Sequence, residues 1–386
     1  MKTTVKLATV AVVAAFILSG CATSGGTAAP TSNNSAIMAK IDAGLAALKT
    51  KVLSKGPSGE EPSDATTADL SDAEVAQVKA LHLTAAIAMH YGGNDWSTAQ
   101  IAGLKSEFTR LGIEVVAVTD ANFDAGKQVS DIETIMAKKP SIIVSLPTDP
   151  VATADAYRKA SAGGAHLVFM DNVPKGFVAG KDYVSVVSAD NYGNGVTSAY
   201  LMARALGGKG TIGLIFHQAD FFVTKQRYEG FKTTIKENFP DIKIVEEKGI
   251  AGPDFAGDAQ GVASAMLTKH PTLSGIWGVW DVPADGIMAA ARSAGRTDLK
   301  VATQDLGLNA AVALAKNELV VGLGAQRPFD QGITEARLAA ASYIGKTVPG
   351  YVALPALAVD HANVLDAWKQ VYHSDAPASV TSVYKK

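Results

Sequence analysis

From about residue 83 to residue 359, short apolar runs and longer amphipathic stretches take turns along the chain. The runs at 114–118, 141–146 and 165–170 are rich in Val, Ile, Leu and Ala, the pattern of parallel strands buried on both faces. The stretches at 126–138 and 151–162 return apolar residues every three or four positions, the period of helices that cover a sheet. The first unit, 83–112, holds every part: an apolar strand, a turn from Tyr91 to Trp96 rich in Gly and polar residues, and an amphipathic helix. An extended segment at 183–187 is interrupted by Ser188-Ala189-Asp190-Asn191, where the chain is expected to cross over, with a new helix starting near Tyr192. The alternation then restarts, with strands at 210–216, 242–247, 275–279, 300–303 and 320–323 and helices at 224–238, 257–269, 284–294 and 309–317. A helix at 330–344 and an extended segment at 351–359 return the chain across both halves. The pattern predicts an α/β protein of two similar, doubly wound parallel-sheet domains joined by a multi-strand hinge: 81–190 with 327–350, and 191–326 with 351–372. Ligands of such sheets sit outside the carboxyl ends of the strands, so the facing strand ends frame a cleft that can close on a small molecule.

The N-terminus follows a different grammar. Lys2 and Lys6 precede an apolar run from Leu7 to Leu18, which predicts a secretory leader over 1–20. Its end, Leu18-Ser19-Gly20-Cys21, resembles the bacterial lipobox, so Cys21, the single cysteine, is expected to become an acylated N-terminus that holds the protein to a membrane. Residues 22–34 are Ser, Gly, Thr, Ala, Asn and Pro, a flexible tether. Ile37, Ile41, Leu45, Leu48 and Val52 form the stripe of one amphipathic helix, either resting on the main body or offered to a partner. Residues 56–68 turn polar again, and Ser71 with Glu74 has the spacing of a capping box.

Composition narrows the chemistry. With 386 residues, 47% hydrophobic and 19% charged, the chain is ordinary globular material. Its formal charge of −2 grows more negative once Lys2 and Lys6 leave with the leader, so nothing attracts nucleic acid. Beyond the leader no apolar run reaches the ~18 residues of a membrane span. Gly207-Gly208-Lys209-Gly210-Thr211 has the wrong spacing for a phosphate loop, Gly92-Gly93 is not a dinucleotide fingerprint, and no G-x-S-x-G elbow occurs. The 7 histidines never fall in metal-ligand spacing. No enzyme, metal or cofactor is predicted.

What recurs at the strand ends is aromatics beside carboxylates, amides and Arg: Asn94 with Trp96, Asp171 with Asn172, Arg227, Phe255, Trp280 with Asp281, Asp305, and Gln326 with Arg327. A sugar or polyol calls for that mixture, because its C–H faces stack on rings while each hydroxyl donates and accepts. Alternatives stand beside these readings. Trp96, Phe255 and Trp280 also suit packing, Asp171, Asp281 and Asp305 suit turns or helix caps, and Arg227 suits a surface pair with Glu229. His90 and His217 read as satisfied strand-end residues, with Tyr91, Phe221 and Phe222 as secondary wall candidates.

Over 83–359 the chain resembles the ribose-binding, type I periplasmic binding proteins, whose core is shared with lactose-type repressors. The resemblance rests on Leu146-Pro147-Thr148-Asp149, Phe169-Met170-Asp171, Ser188-Ala189-Asp190-Asn191, Arg227-Tyr228-Glu229-Gly230-Phe231, Phe255, Asp305 and Gln326 before Pro328. It implies that Asp171, Arg227, Asp305 and Gln326 bind sugar hydroxyls and that Trp96 and Phe255 sandwich the ring. This sequence departs from the ribose binder at Asn172, which replaces an Arg, at Trp280, which replaces an Asn, and at Gln304, which replaces a Phe. One cation fewer and one ring more suggest another small sugar, a sugar alcohol or a related polyhydroxylated solute. The implied role is an extracytoplasmic, monomeric lipoprotein that delivers its solute to the membrane permease of an ABC importer. The alternative is a ligand-sensing component for a membrane receptor.

Overall fold

The computed structural model describes residues 31–385; the leader, Cys21 and most of the expected tether lie outside the described residues. Two helices lead in, α1 (Thr31–Leu48) and α2 (Asp72–Ala80). The first lobe then runs β1 (Thr84–Met89), α3 (Asp95–Arg110), β2 (Glu114–Asp120), α4 (Ala125–Met136), β3 (Ile142–Ser145), α5 (Ala154–Ala162), β4 (His166–Met170) and β5 (Ser185–Ala189). The second runs α6 (Asn191–Leu206), β6 (Gly210–His217), α7 (Phe222–Asn238), β7 (Ile242–Ile250), α8 (Phe255–Lys269), β8 (Gly275–Gly278), α9 (Asp281–Ser293), β9 (Lys300–Gln304), α10 (Leu308–Lys316) and β10 (Val320–Ala325). The chain returns through α11 (Pro328–Tyr343), β11 (Tyr351–Leu354), β12 (Leu357–Val359), α12 (Val364–Tyr372) and α13 (Ala378–Thr381).

Each lobe holds a six-stranded sheet, ordered β11-β5-β4-β3-β1-β2 in one and β12-β10-β9-β8-β6-β7 in the other. The two orders correspond strand for strand. Pairing is parallel throughout, as in Ala85 with Ile142 and Ile212 with Gly275, except where β12 runs antiparallel to β10. β1, β3, β4 and β5 are buried along nearly all their length, which is why they read as unbroken apolar runs. Helices start where a carboxylate or amide takes the first free N–H groups: Asn94 for α3, Asp124 for α4, Asp190 for α6 and Asp254 for α8. The chain crosses between lobes at Asp190, at Gln326-Arg327 and at Pro355-Ala356.

Some expectations need correcting. β11 completes the first sheet beside β5, although Tyr351–Leu354 fall in the segment assigned by sequence to the second domain. The turn at Pro355-Ala356 splits the extended segment between the sheets, a break that the apolar pattern alone does not show. α1 begins at Thr31, inside the expected tether, and ends before Val52; its Ile41 and Leu45 seat against the second lobe's core with Ala199, Phe231 and Ile235. The capping box stands: Ser71 N–H donates to Glu74 Oε2 at 2.7 Å, and Ser71 Oγ accepts from Glu74 N–H at 3.4 Å. No helix of the described residues is long and apolar enough to cross a membrane.

Candidate functional site

The carboxyl ends of the two sheets face one another across a narrow cleft. Asp171 follows β4 and Asp305 follows β9, the corresponding strands of the two sheets. Both sit in the left-handed region, at φ 52° and 61°, and both backbone N–H groups still bond to the neighbouring strand, at Val187 O and Gly324 O. This conformation turns the side chain out of the strand's alternation and into the cleft; Asp tolerates it better than bulkier residues.

A polar chain links the two carboxylates through the first crossover. Ser188 Oγ donates to Asp171 Oδ1 at 2.6 Å, Asn191 Nδ2 donates to Ser188 Oγ at 3.1 Å, and Asn191 Oδ1 accepts from Arg227 Nε at 3.0 Å. Arg227 then grips Asp305 with Nη1 at 2.8 Å and Nη2 at 3.3 Å. Arg227 and Asp171 are each 2% exposed. Burial pushes the Asp171 carboxyl up to about 6 despite the Ser188 hydroxyl and the Arg227 charge. Burial and the neighbouring carboxylates of Asp305, Asp285 and Asp95 hold Asp281 well above the usual range.

Aromatic rings close the cavity from both lobes. Phe123 stacks on Tyr91 with centroids 4.9 Å apart, and meets Phe255 of the other lobe edge-on at 5.7 Å. His90 packs against Phe123 at 4.9 Å and over Phe221 at 6.0 Å, while His217 meets Trp280 at 5.6 Å. Burial pushes the His90 imidazole down to about 3, so it is neutral. Its Nδ1 has no partner within the protein, and neither do Trp96 Nε1 and Gln326 Oε1. These are buried polar atoms on a cavity wall, where a bound molecule can satisfy them. The side chains leave about 80 Å³ of the cleft to the centres of water-sized molecules.

Asp171, Arg227, Trp280, Asp305, Gln326, Trp96 and Asn94 converge on this cavity. Asn94 does so as a helix cap, its Oδ1 accepting from Ser97 N–H at 2.8 Å. Asn172 and Phe255 do not line it. Asn172 is 2% exposed and donates to Pro147 O at 3.3 Å, because the left-handed turn at Asp171 sends the next side chain behind the strand end. Phe255 opens α8 and backs Trp280 at 4.9 Å, supporting the wall from behind. Gln304 also points away, its amide 2.8 Å from Ser198 Oγ. Phe123, unflagged in the sequence, lines the cavity, as do Asp281 and both His90 and His217. His217 has Thr224 Oγ1 at 3.3 Å, whereas His90 lacks the partner expected of it.

Residues 85–347 match the periplasmic binding protein domain family. The ribose import binding protein of Bacillus subtilis is 28% identical over 228 residues, 58% of this chain and 70% of that protein. The D-apiose import binding protein of Actinobacillus succinogenes is 28% identical over 210 residues, 54% of this chain and 65% of that one. Among solved structures, an ABC sugar transporter subunit from Rhodobacter sphaeroides has a TM-score of 0.63 at 28% identity, covering 72% of this chain and 98% of its own. An ABC transporter solute binding protein from Agrobacterium vitis with bound allitol has a TM-score of 0.65 at 25% identity, covering 74% and 98%.

Proposed function

The chain belongs to the periplasmic binding protein family, and from that premise we propose that it captures a small sugar or polyol between its lobes and delivers it to the permease of an ABC importer. The carrying observation is the buried chain from Asp171 through Ser188, Asn191 and Arg227 to Asp305, which lies beneath aromatic walls that still hold unpaired polar atoms. In this reading Asp171, Asp305 and Gln326 accept from hydroxyls, Arg227 and Trp96 donate, and Trp280 lies against the apolar face of the solute. The space left between the walls is that of a small solute. Lipid on Cys21 would keep the lobes at the outer face of a membrane, near the permease.

Calorimetry of the mature protein against D-ribose, D-apiose, D-allose and allitol tests the reading, with a thermal melt alongside because a solute bound only by the folded state raises the melting temperature. One-to-one saturable heat with at least one member is expected. Silence across these and a wider panel of pentoses, hexoses and alditols, in heat and in melting, would overturn it. The anchor is tested separately: Cys21→Ser should move the protein from the membrane fraction to the soluble fraction.

A further inference from the structure

The inventory of charge around the cavity does not balance for a neutral solute. Arg227 is the cation on its wall, and both of its Nη groups are committed to Asp305. Asp171, from the first lobe, has the Ser188 hydroxyl as its near partner, and Asp281, from the second, has the backbone N–H of Val282 at 3.0 Å. Neither carboxylate has an ion pair among the described residues. The two histidines on the wall, His90 and His217, are pushed down by burial, which disfavours their charged forms. Behind Asp281 stand Asp95, which accepts from Leu308 N–H, and Asp285, which accepts from Asn309 Nδ2, so the surrounding field is negative. Gln326 Oε1 adds an unpaired acceptor on a side chain 4% exposed.

We infer that the natural solute carries a protonated amine together with its hydroxyls, as an amino sugar or aminopolyol does, with Asp281 as the residue that selects for the charge. The inference rests on the cleft being the solute site, as proposed above. An ammonium offers three donors and no acceptor, which matches a wall dominated by acceptors. It supplies the missing counter-charge when the lobes seal over Asp171, which is buried, and Asp281, which is partly buried, where a neutral polyol leaves the two carboxylates unpaired or forces them to take up protons. Trp280 and Phe221 offer ring faces that attract a cation in a desolvated space.

Matched pairs test this by calorimetry at pH 7.5: 3-amino-1,2-propanediol against glycerol, D-glucosamine against D-glucose, and 1-amino-1-deoxysorbitol against sorbitol. The amine is expected to bind at least tenfold more tightly in at least one pair, and Asp281→Asn is expected to erase that preference. Buffers of different ionisation enthalpy give a second readout on the unmodified protein: within each pair the amine should bind with fewer protons taken up by the protein, or more released, than its neutral partner. If the neutral members bind as tightly as the amines in every pair, or D-ribose or D-allose binds while every amine fails, the inference falls and the sugar-binding reading stands. If no member and no sugar binds, the underlying reading falls and takes the inference with it. A preference that survives Asp281→Asn unchanged would remove Asp281 from the role.

Discussion

Arg227 is held on three sides, and replacing it separates charge from geometry. Its Nε meets Asn191, its Nη1 reaches Val279 O, and both Nη groups grip Asp305. Lysine keeps the charge but has no planar fork. Arg227→Lys is therefore expected to weaken binding by at least about tenfold, ~1.4 kcal/mol. Arg227→Ala should in addition lower stability by about 3 to 5 kcal/mol, because Asp305 is left buried without its counter-charge; a denaturation midpoint unchanged in Arg227→Ala would show that this pair does not hold Asp305. Asp171 brings a pH dependence whose sign differs for stability and for binding. Its folded value, raised to about 6, means that the folded state holds more protons than the unfolded chain between ~4 and about 6. Its contribution to stability is thus present below ~4 and lost as pH rises through about 6. Binding runs the other way: a hydroxyl donates to the ionised carboxylate, so affinity should fall as pH drops from 7 through about 6, and Asp171→Asn should flatten that fall in a pH series of titrations. Asp171 and Asp305 stood out in the sequence because a charge at the end of an apolar strand has no local packing reason to be there, whereas Arg227, inside α7, was singled out through the resemblance. Phe123 and His90 gave no such signal, since their place on the wall depends on where Phe221 and Phe255 arrive from the other lobe.

At the scale of elements, the segment before the first strand laces the two lobes together. α1 lies along α6 of the second lobe with Ile41 fully buried, and Leu53 N–H, Ser54 N–H and Ser54 Oγ all donate to Asp190 at the first crossover, each at 2.9 Å. The chain then reaches the first lobe, where Ser63 bonds along the edge of β11 and Asp69 pairs with Arg337 at 2.5 Å. Ile41→Ala is expected to cost about 2 to 5 kcal/mol, as for other buried large-to-small changes, and an unchanged melting temperature would show that α1 is detachable. Ser54→Ala leaves Tyr192 N–H without the acceptor it has at 2.9 Å, a loss of about 1 to 3 kcal/mol. The stripe of Ile37, Ile41, Leu45 and Leu48 was legible as a helix because its period is local. Its seat on α6 was not, because the surface that receives it is assembled from residues some 150 to 200 positions away. The same reason hid the assignment of β11: a four-residue apolar run fits the edge of either sheet, and its place is decided by pairing with β5.

At the scale of the whole molecule, the closed arrangement is fastened by a contact that never touches the cavity. α10 begins at Gly307 with no side-chain cap of its own, and the carboxylate that takes its first free N–H comes from the other lobe, Asp95 Oδ2 to Leu308 N at 2.7 Å. A carboxylate at a helix start is favoured by both the free N–H and the helix dipole, yet this one is available only while the lobes are together. Asp95 therefore weights the closed state directly, and reaches the solute otherwise only through the field it adds behind Asp281. If solute is held by the closed form, the apparent dissociation constant rises in proportion as the closed fraction falls. One half-exposed hydrogen bond contributes about 0.5 to 1.5 kcal/mol, so Asp95→Ala should weaken apparent affinity by roughly 2- to 10-fold and act mainly on the release rate. The compaction measured by small-angle scattering at saturating solute should remain, since the solute still adds its own contacts to the closed form alone. The fold has no reason to suffer, because α3 keeps Asn94 as its cap. Unchanged release kinetics in Asp95→Ala would show that the latch carries no weight in solution, and equal dimensions of the normal protein with and without solute would show that closure is not driven by the solute at all.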